Sequence, residues 1–226
     1  MTKWHEQYCG GVLLSPDWVL TAAHCVRKRG SRHRRLLVRV GEHDLSVDEG
    51  PEMDVRIQKY FMHPRFSLDT IDYDIALLRL RTPVPSASQY IGYSCLPPRS
   101  APSLPENTLC YAVGWGKMKS THLFGTDILR QAAVPIVERQ KCREAFDYEI
   151  NDYQLCAGYK RGGVDTCSGD SGGPLMCLMD IPGHGQRWTV YAVTSFGEGC
   201  GDGGKYGIYT QVPSFLDWID DVMRNN

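Results

Sequence analysis

Nine cysteines, at positions 9, 25, 95, 110, 142, 156, 167, 177 and 200, do most to limit what this 226-residue chain can become. They are spread along the chain and form no paired C-x-x-C ligand sets. A zinc module is therefore disfavoured, and a disulfide framework built in an oxidising compartment is expected. Nine is odd, so one thiol stays free or bonds outside this chain. The opening Met1-Thr2-Lys3-Trp4-His5-Glu6 is polar and is no signal peptide. The two observations are reconciled if the chain is the C-terminal part of a longer secreted precursor. No apolar run approaches the ~18 residues of a membrane span, and a net charge of −1 gives no case for a nucleic-acid partner. The length allows one large domain or two of roughly 100 residues each.

The hydrophobic pattern is that of short strands. Val12-Leu13-Leu14 and Trp18-Val19-Leu20-Thr21-Ala22 flank a Ser15-Pro16-Asp17 bend, and Leu36-Leu37-Val38-Arg39-Val40 follows. Pro97, Pro98, Pro102 and Pro105 crowd a linker near the midpoint, which separates residues 1–96 from 97–226. Beyond it, strands are expected over 109–115, 131–137, 174–178, 188–194 and 206–212, with a turn at Gly183-His184-Gly185. One helix is expected, at the C-terminus, where Leu216, Ile219, Val222 and Met223 recur at helical spacing after Pro213.

Three places carry candidate chemistry. In Asp165-Thr166-Cys167-Ser168-Gly169-Asp170-Ser171-Gly172-Gly173-Pro174, a serine sits among small and turn-forming residues. A hydroxyl held at such a bend, with free N–H groups beside it, suits acyl transfer; an ordinary glycine-rich turn is the alternative. His24, in Thr21-Ala22-Ala23-His24-Cys25, is catalytic or structural. Asp74 abuts the apolar run Ile75-Ala76-Leu77-Leu78, where a buried carboxylate needs a donor such as a histidine N–H. Two loops invite ligands. Residues 42–52 hold Glu42, Asp44, Asp48, Glu49 and Glu52, a set of hard oxygens suited to calcium or simply to water. Arg27, Lys28, Arg29, Arg32, Arg34 and Arg35 form a basic run that is either solvated or a polyanion surface.

The order His24, Asp74, Ser171 is that of chymotrypsin rather than of subtilisin or the α/β-hydrolases. Gly169-Asp170-Ser171-Gly172-Gly173 also satisfies the G-x-S-x-G pattern, but such an elbow needs a histidine after the serine. Only His184 lies there, in an expected turn. Together with Gly114-Trp115-Gly116, these motifs make the sequence resemble the chymotrypsin–trypsin family of serine endopeptidases from Tyr8 to the terminal helix.

The resemblance implies an all-β fold of two antiparallel six-stranded barrels with a C-terminal helix, the first strand being truncated here. It implies a catalytic triad of His24, Asp74 and Ser171, an oxyanion hole from the N–H groups of Gly169 and Ser171, and a Ser195 hydroxyl bonded to Asp74. Asp165 would sit at the base of the primary pocket, with Gly197 and Gly207 on its walls and Phe196 in place of the usual tryptophan. Cleavage after Arg or Lys is the expected specificity. Tyr206 stands where an aromatic accompanies sodium dependence in some relatives. The acidic loop matches a calcium loop, with Glu42, Glu49, Glu52 and the carbonyls of Asp44 and Val47 as ligands; no cofactor is needed for the chemistry. The implied disulfides are Cys9–Cys25, Cys110–Cys177, Cys142–Cys156 and Cys167–Cys200. They leave Cys95 to bond an upstream pro-region. Protein substrates and protein inhibitors are the expected partners, and the expected location is extracellular.

The sequence departs from the family at its start, where the Ile-Val-Gly-Gly type segment is absent. In relatives that freed amine pairs with the aspartate matching Asp170, so Asp170 reads as an activation switch without its cation. Two readings follow: a trypsin-like endopeptidase in a zymogen-like form, or a non-proteolytic homologue acting as a binding or regulatory module. The intact triad and pocket aspartate favour the first.

Overall fold

The computed structural model describes residues 7–27, 36–85 and 89–226. The strands fall into two antiparallel sheets. The first contains β1 (Val12–Ser15), β2 (Trp18–Thr21), β3 (Leu37–Val40), β4 (Met53–Met62) and β5 (Ala76–Leu80), in the order β1-β2-β5-β4-β3. The second contains β6 (Leu109–Gly114), β7 (Arg130–Pro135), β8 (Gln154–Ala157), β9 (Pro174–Ile181), β10 (Gly185–Phe196) and β11 (Gly207–Gln211), in the order β7-β6-β9-β10-β11-β8. Past the end of β7, Ile136 bridges Ala157 of β8, which joins the two edges of this sheet. The all-β fold with a terminal helix is thus met, with five strands in the first sheet among the described residues and six in the second.

Strand alternation decides what each face meets. In β5, Ala76, Leu78 and Leu80 join Val19, Val55 and Val84 inside the first sheet. Leu77, with Ile75 just before the strand, turns the other way and packs with Val193, Val212, Phe215 and Ile219. Both faces of β5 are therefore buried, which is why its sequence is almost continuously apolar. The second sheet closes on its own core of Val134, Leu155, Leu175, Tyr191 and Tyr209.

Four elements were not legible in the hydrophobic pattern. β4 alternates through Met53, Val55 and Ile57, then a bulge between Ile57 and Lys59 shifts the phase. β8 is too short to show a period. Two short helical segments, α1 (Ala23–Val26) and α2 (Arg139–Glu144), also lie outside the expected strands. The expected C-terminal helix is α3 (Leu216–Asn225), entered through a 3-10 turn over Val212–Phe215 with Pro213 near its start. Leu216, Ile219 and Val222 form its buried stripe. Gly183 and His184 lie in the turn of the β9–β10 hairpin, as the sequence indicated.

Candidate active site

The site lies where the two sheets face each other. His24 sits on α1, directly after β2, and Asp74 directly before β5; β2 and β5 are paired, so the two residues are held at neighbouring strand ends. The Asp74 carboxylate is fully buried yet well supplied with donors. Oδ2 lies 2.7 Å from His24 Nδ1, and Oδ1 accepts the His24 main-chain N–H at 2.9 Å. Ser195, near the end of β10, donates its hydroxyl to Oδ2 at 2.5 Å. Thr210 of β11 donates to the Asp74 carbonyl at 3.0 Å. Burying a charge without donors is expensive, and three donors from the two halves meet that demand, with Thr210 fixing the main chain beside them. They also fix the tautomer: with Nδ1–H given to Asp74, His24 Nε2 is left as an acceptor.

Ser171 opens into the same cavity as His24, a space of about 600 Å³ also lined by Leu68, Ile71, Ser195, Phe196 and Gly197. Its carbonyl accepts from Gly10 N–H at 2.7 Å, and the next N–H, of Gly172, donates to Thr194 at 2.8 Å. The serine is thereby stapled between the halves. Only glycine fits after it: Gly172 has φ +80°, and a Cβ there would lie 2.2 Å from Thr21 Oγ1. The N–H groups of Gly169 and Ser171 have no acceptor among the described residues. No hydrogen bond joins Ser171 Oγ to His24 either; Nε2 instead faces the disulfide sulfur of Cys25 at 3.7 Å.

Asp170 turns away from the cavity into a bed of main chain. Its Oδ1 accepts from Gly116 N–H at 2.8 Å and its Oδ2 from Cys167 N–H at 2.9 Å. Burial raises its pKa, opposed by these two amide donors. No cation pairs with it among the described residues. The bed exists because Gly114 and Gly116 lack side chains: a Cβ would come within 2.1 Å and 2.3 Å of the carboxylate oxygens. That is the physical role of the Gly114-Trp115-Gly116 motif.

Asp165 is held similarly, by Thr166 N–H at 2.8 Å and Gly201 N–H at 3.1 Å. Burial pushes its carboxyl up to about 6, and the charges of Asp170 and Asp202 add to the rise. Its neighbours Thr166 and Cys200 line the cavity, as does Gly197. Gly207 stands behind, where a Cβ would lie 2.7 Å from Asp165 Oδ1.

With this geometry in view, the comparisons with known proteins are decisive. The family model described as Trypsin matches residues 1–219. The chain is also 36% identical over 219 residues to Trypsin-3 of Salmo salar, which covers 97% of this chain and 84% of the salmon protein. The chain belongs to the trypsin family of serine proteases.

The four disulfides of this trypsin-family chain join Cys9 to Cys25, Cys110 to Cys177, Cys142 to Cys156 and Cys167 to Cys200, leaving Cys95 free and exposed. Two of them flank the site, Cys9–Cys25 beside His24 and Cys167–Cys200 beside Asp165. Cys9 and Cys25 are spent in that bond, so their closeness to His24 is no metal site. In the acidic loop, the carboxylates of Glu42, Glu49 and Glu52 converge to within 4.8 Å of one another. Glu52 accepts from the Glu49 and Gly50 N–H groups, which lower its pKa. Asp44 spends its side chain on Ser46, while its carbonyl accepts from Val47 N–H at 3.1 Å. Phe196 is half-buried at the cavity wall, and Tyr206 is buried against it in a cluster with Cys156 and Ile208. His184 is exposed in its hairpin turn, with Nδ1 3.1 Å from the Pro182 carbonyl, so the elbow alternative has no histidine at Ser171. Lys28 to Arg35 of the basic run lie outside the described residues; Arg27 is exposed at the cavity. No helix among the described residues is long and apolar enough to cross a membrane.

Sequence reasoning missed Thr210, which nothing in its strand distinguishes. It also missed Gln7, whose Nε2 donates to the Gly169 carbonyl at 2.8 Å.

Proposed function

We propose that the protein hydrolyses peptide bonds after Arg or Lys through an acyl-enzyme. The observation that carries this reading is the buried Asp74, bonded at once to His24 Nδ1, His24 N–H and Ser195 Oγ. His24 Nε2 takes the Ser171 hydroxyl proton as the oxygen attacks the scissile carbonyl, then returns it to the leaving amine. Asp74 holds the ring and stabilises the imidazolium. The free N–H groups of Gly169 and Ser171 receive the oxyanion, each such donor being worth about 2.7–4 kcal/mol in related chemistry. Asp165, buried beside the cavity and short of a cation, attracts the substrate guanidinium or ammonium, and Gly197 leaves room for it.

The form described here is a resting one. Ser171 and His24 are not bonded, and among the described residues the buried Asp170 carboxylate is held by two neutral amides. A cation delivered to Asp170 completes the site. Glu42, Glu49 and Glu52 offer the hard oxygens that calcium requires, with the Asp44 and Val47 carbonyls at hand. Bound there, calcium would neutralise three crowded carboxylates and stiffen the loop without entering the chemistry. Four disulfides suit an extracellular setting, and the exposed Cys95 suits a bond to an upstream pro-region.

The test is hydrolysis of matched peptide amides ending in Arg, Lys or Phe, with fluorophosphonate labelling of Ser171. Cleavage after Arg and Lys that disappears in Asp165→Ser supports the reading. A full-length protein that neither labels nor cleaves points instead to the binding module.

A further inference from the structure

Asp72 lies two residues before Asp74, half-buried, and its carboxylate is fully engaged although it faces no part of the reaction. Oδ1 accepts from Asn151 Nδ2 at 2.6 Å and from the Tyr153 hydroxyl at 2.9 Å. Oδ2 accepts from Thr70 Oγ1 at 2.7 Å, and the Asp72 carbonyl accepts from Ser67 N–H at 3.1 Å. Asn151 and Tyr153 belong to the other half, 79 and 81 residues away, on the approach to β8. Burial and the Asp72 carboxylate push the Tyr153 phenol well above its ordinary range, so it remains a proton donor at any working pH.

The backbone around this bond is strained. Ile71 and Tyr73 both lie in the left-handed region, at φ +53° and +52°. Large side chains avoid that region, a β-branched one most of all. Such a residue persists only where its surroundings over-determine it. Those surroundings are visible. The Tyr73 ring is stacked between Tyr153 at 4.2 Å and His63 at 5.0 Å, with the edge of Phe215 at 6.1 Å and the Arg65 guanidinium 4.3 Å from its centre. The strained segment ends directly at Asp74.

We propose that Asp72 is a positioning residue: clamped to Asn151 and Tyr153 across the two halves, it holds residues 71–73 in their strained path and so sets Asp74 against His24. The inference rests on the triad reading above. Without the clamp, Ile71 and Tyr73 relax toward ordinary backbone angles, and the 2.7 Å and 2.5 Å contacts of Asp74 with His24 and Ser195 lengthen. Asp74 lies behind the cavity wall, so its displacement falls on the activation of Ser171; Ile71 lines the cavity, so its relaxation alters peptide capture as well, and a small probe that skips the extended cavity separates the two.

The experiment measures kcat and KM on an Arg peptide amide, together with the second-order rate of fluorophosphonate labelling of Ser171. The small phosphonate does not reach the extended cavity, so its rate reports the nucleophile alone. A displacement of this kind should cost about tenfold in kcat and in labelling rate for Asp72→Ala. Asp72→Asn keeps an acceptor at Oδ1 and should recover most of the loss. Tyr153→Phe removes one of the two cross-half donors, keeps the ring stack and should give an intermediate loss; it carries the test if Asp72→Ala does not fold. Equal labelling rates per folded molecule in wild type, Asp72→Ala and Tyr153→Phe would overturn the inference while leaving the protease reading intact. A wild-type protein that neither labels nor cleaves would sink both.

Discussion

The role proposed for Asp165 is measurable without any substrate. In the fold its carboxyl stands at about 6, against an ordinary value of 3.8, chiefly because burial disfavours the anion. The folded value lies above the unfolded one, so the native state binds this proton more tightly. Ionising Asp165 therefore costs stability. The cost is absent below about pH 4, grows as pH rises to about 6 and is constant above that. At about 1.4 kcal/mol per pKa unit the penalty is about 3 kcal/mol, an upper bound because the group is partly wetted. The perturbation is Asp165→Asn, which cannot ionise. It gives up one acceptor facing an amide, a loss of about 1–3 kcal/mol that does not vary with pH. The assay is melting temperature against pH for both proteins. Relative to the variant, the wild type should fall by about 6–12 °C between pH 4 and 7, at roughly 2–4 °C per kcal/mol for a chain of this size. A blocked arginine amide should restore part of that fall at pH 8 in the wild type and none in the variant. Parallel melting curves would refute the reasoning, because a carboxylate that pays nothing to ionise has no special need of a guanidinium.

Two further outcomes are expected. Gly116→Ala places a Cβ 2.3 Å from Asp170 Oδ2 and expels the carboxylate from its amide bed, so denaturant unfolding should show a loss of about 2–4 kcal/mol; Gly197→Ala, whose nearest neighbour would be 3.7 Å away, should leave stability unchanged. Millimolar calcium should raise the wild-type melting temperature and leave Glu52→Gln unmoved, and an equal response in both would remove the ion from Glu42, Glu49 and Glu52.

What could be read from the sequence was the local part of this design. Short apolar runs marked β2, β5, β9 and β10, Pro213 and the 216–223 stripe marked α3, and the motifs around His24, Asp74 and Ser171 marked the site. What stayed hidden depends on distant partners. Nothing in Gly114-Trp115-Gly116 reveals that two missing Cβ atoms make room for Asp170, 54 residues from Gly116. Nothing near Asp72 in the sequence marks it out, because Asn151 and Tyr153 lie far along the chain. The phase of β4 was lost at a bulge, which local alternation cannot anticipate.

The C-terminal helix has a consequence for the order in which the molecule is made. Leu20, Ile75 and Leu77 belong to the first sheet, but their outer faces are covered by Val212, Phe215 and Ile219. Until the segment carrying Val212, Phe215 and Ile219 has been made, the first half cannot bury that surface. Domains commonly fold during synthesis, but here the strands beside His24 and Asp74 wait for packing partners from the other half. The candidate site is thus assembled only after both halves, and the helix that covers the first, have come together.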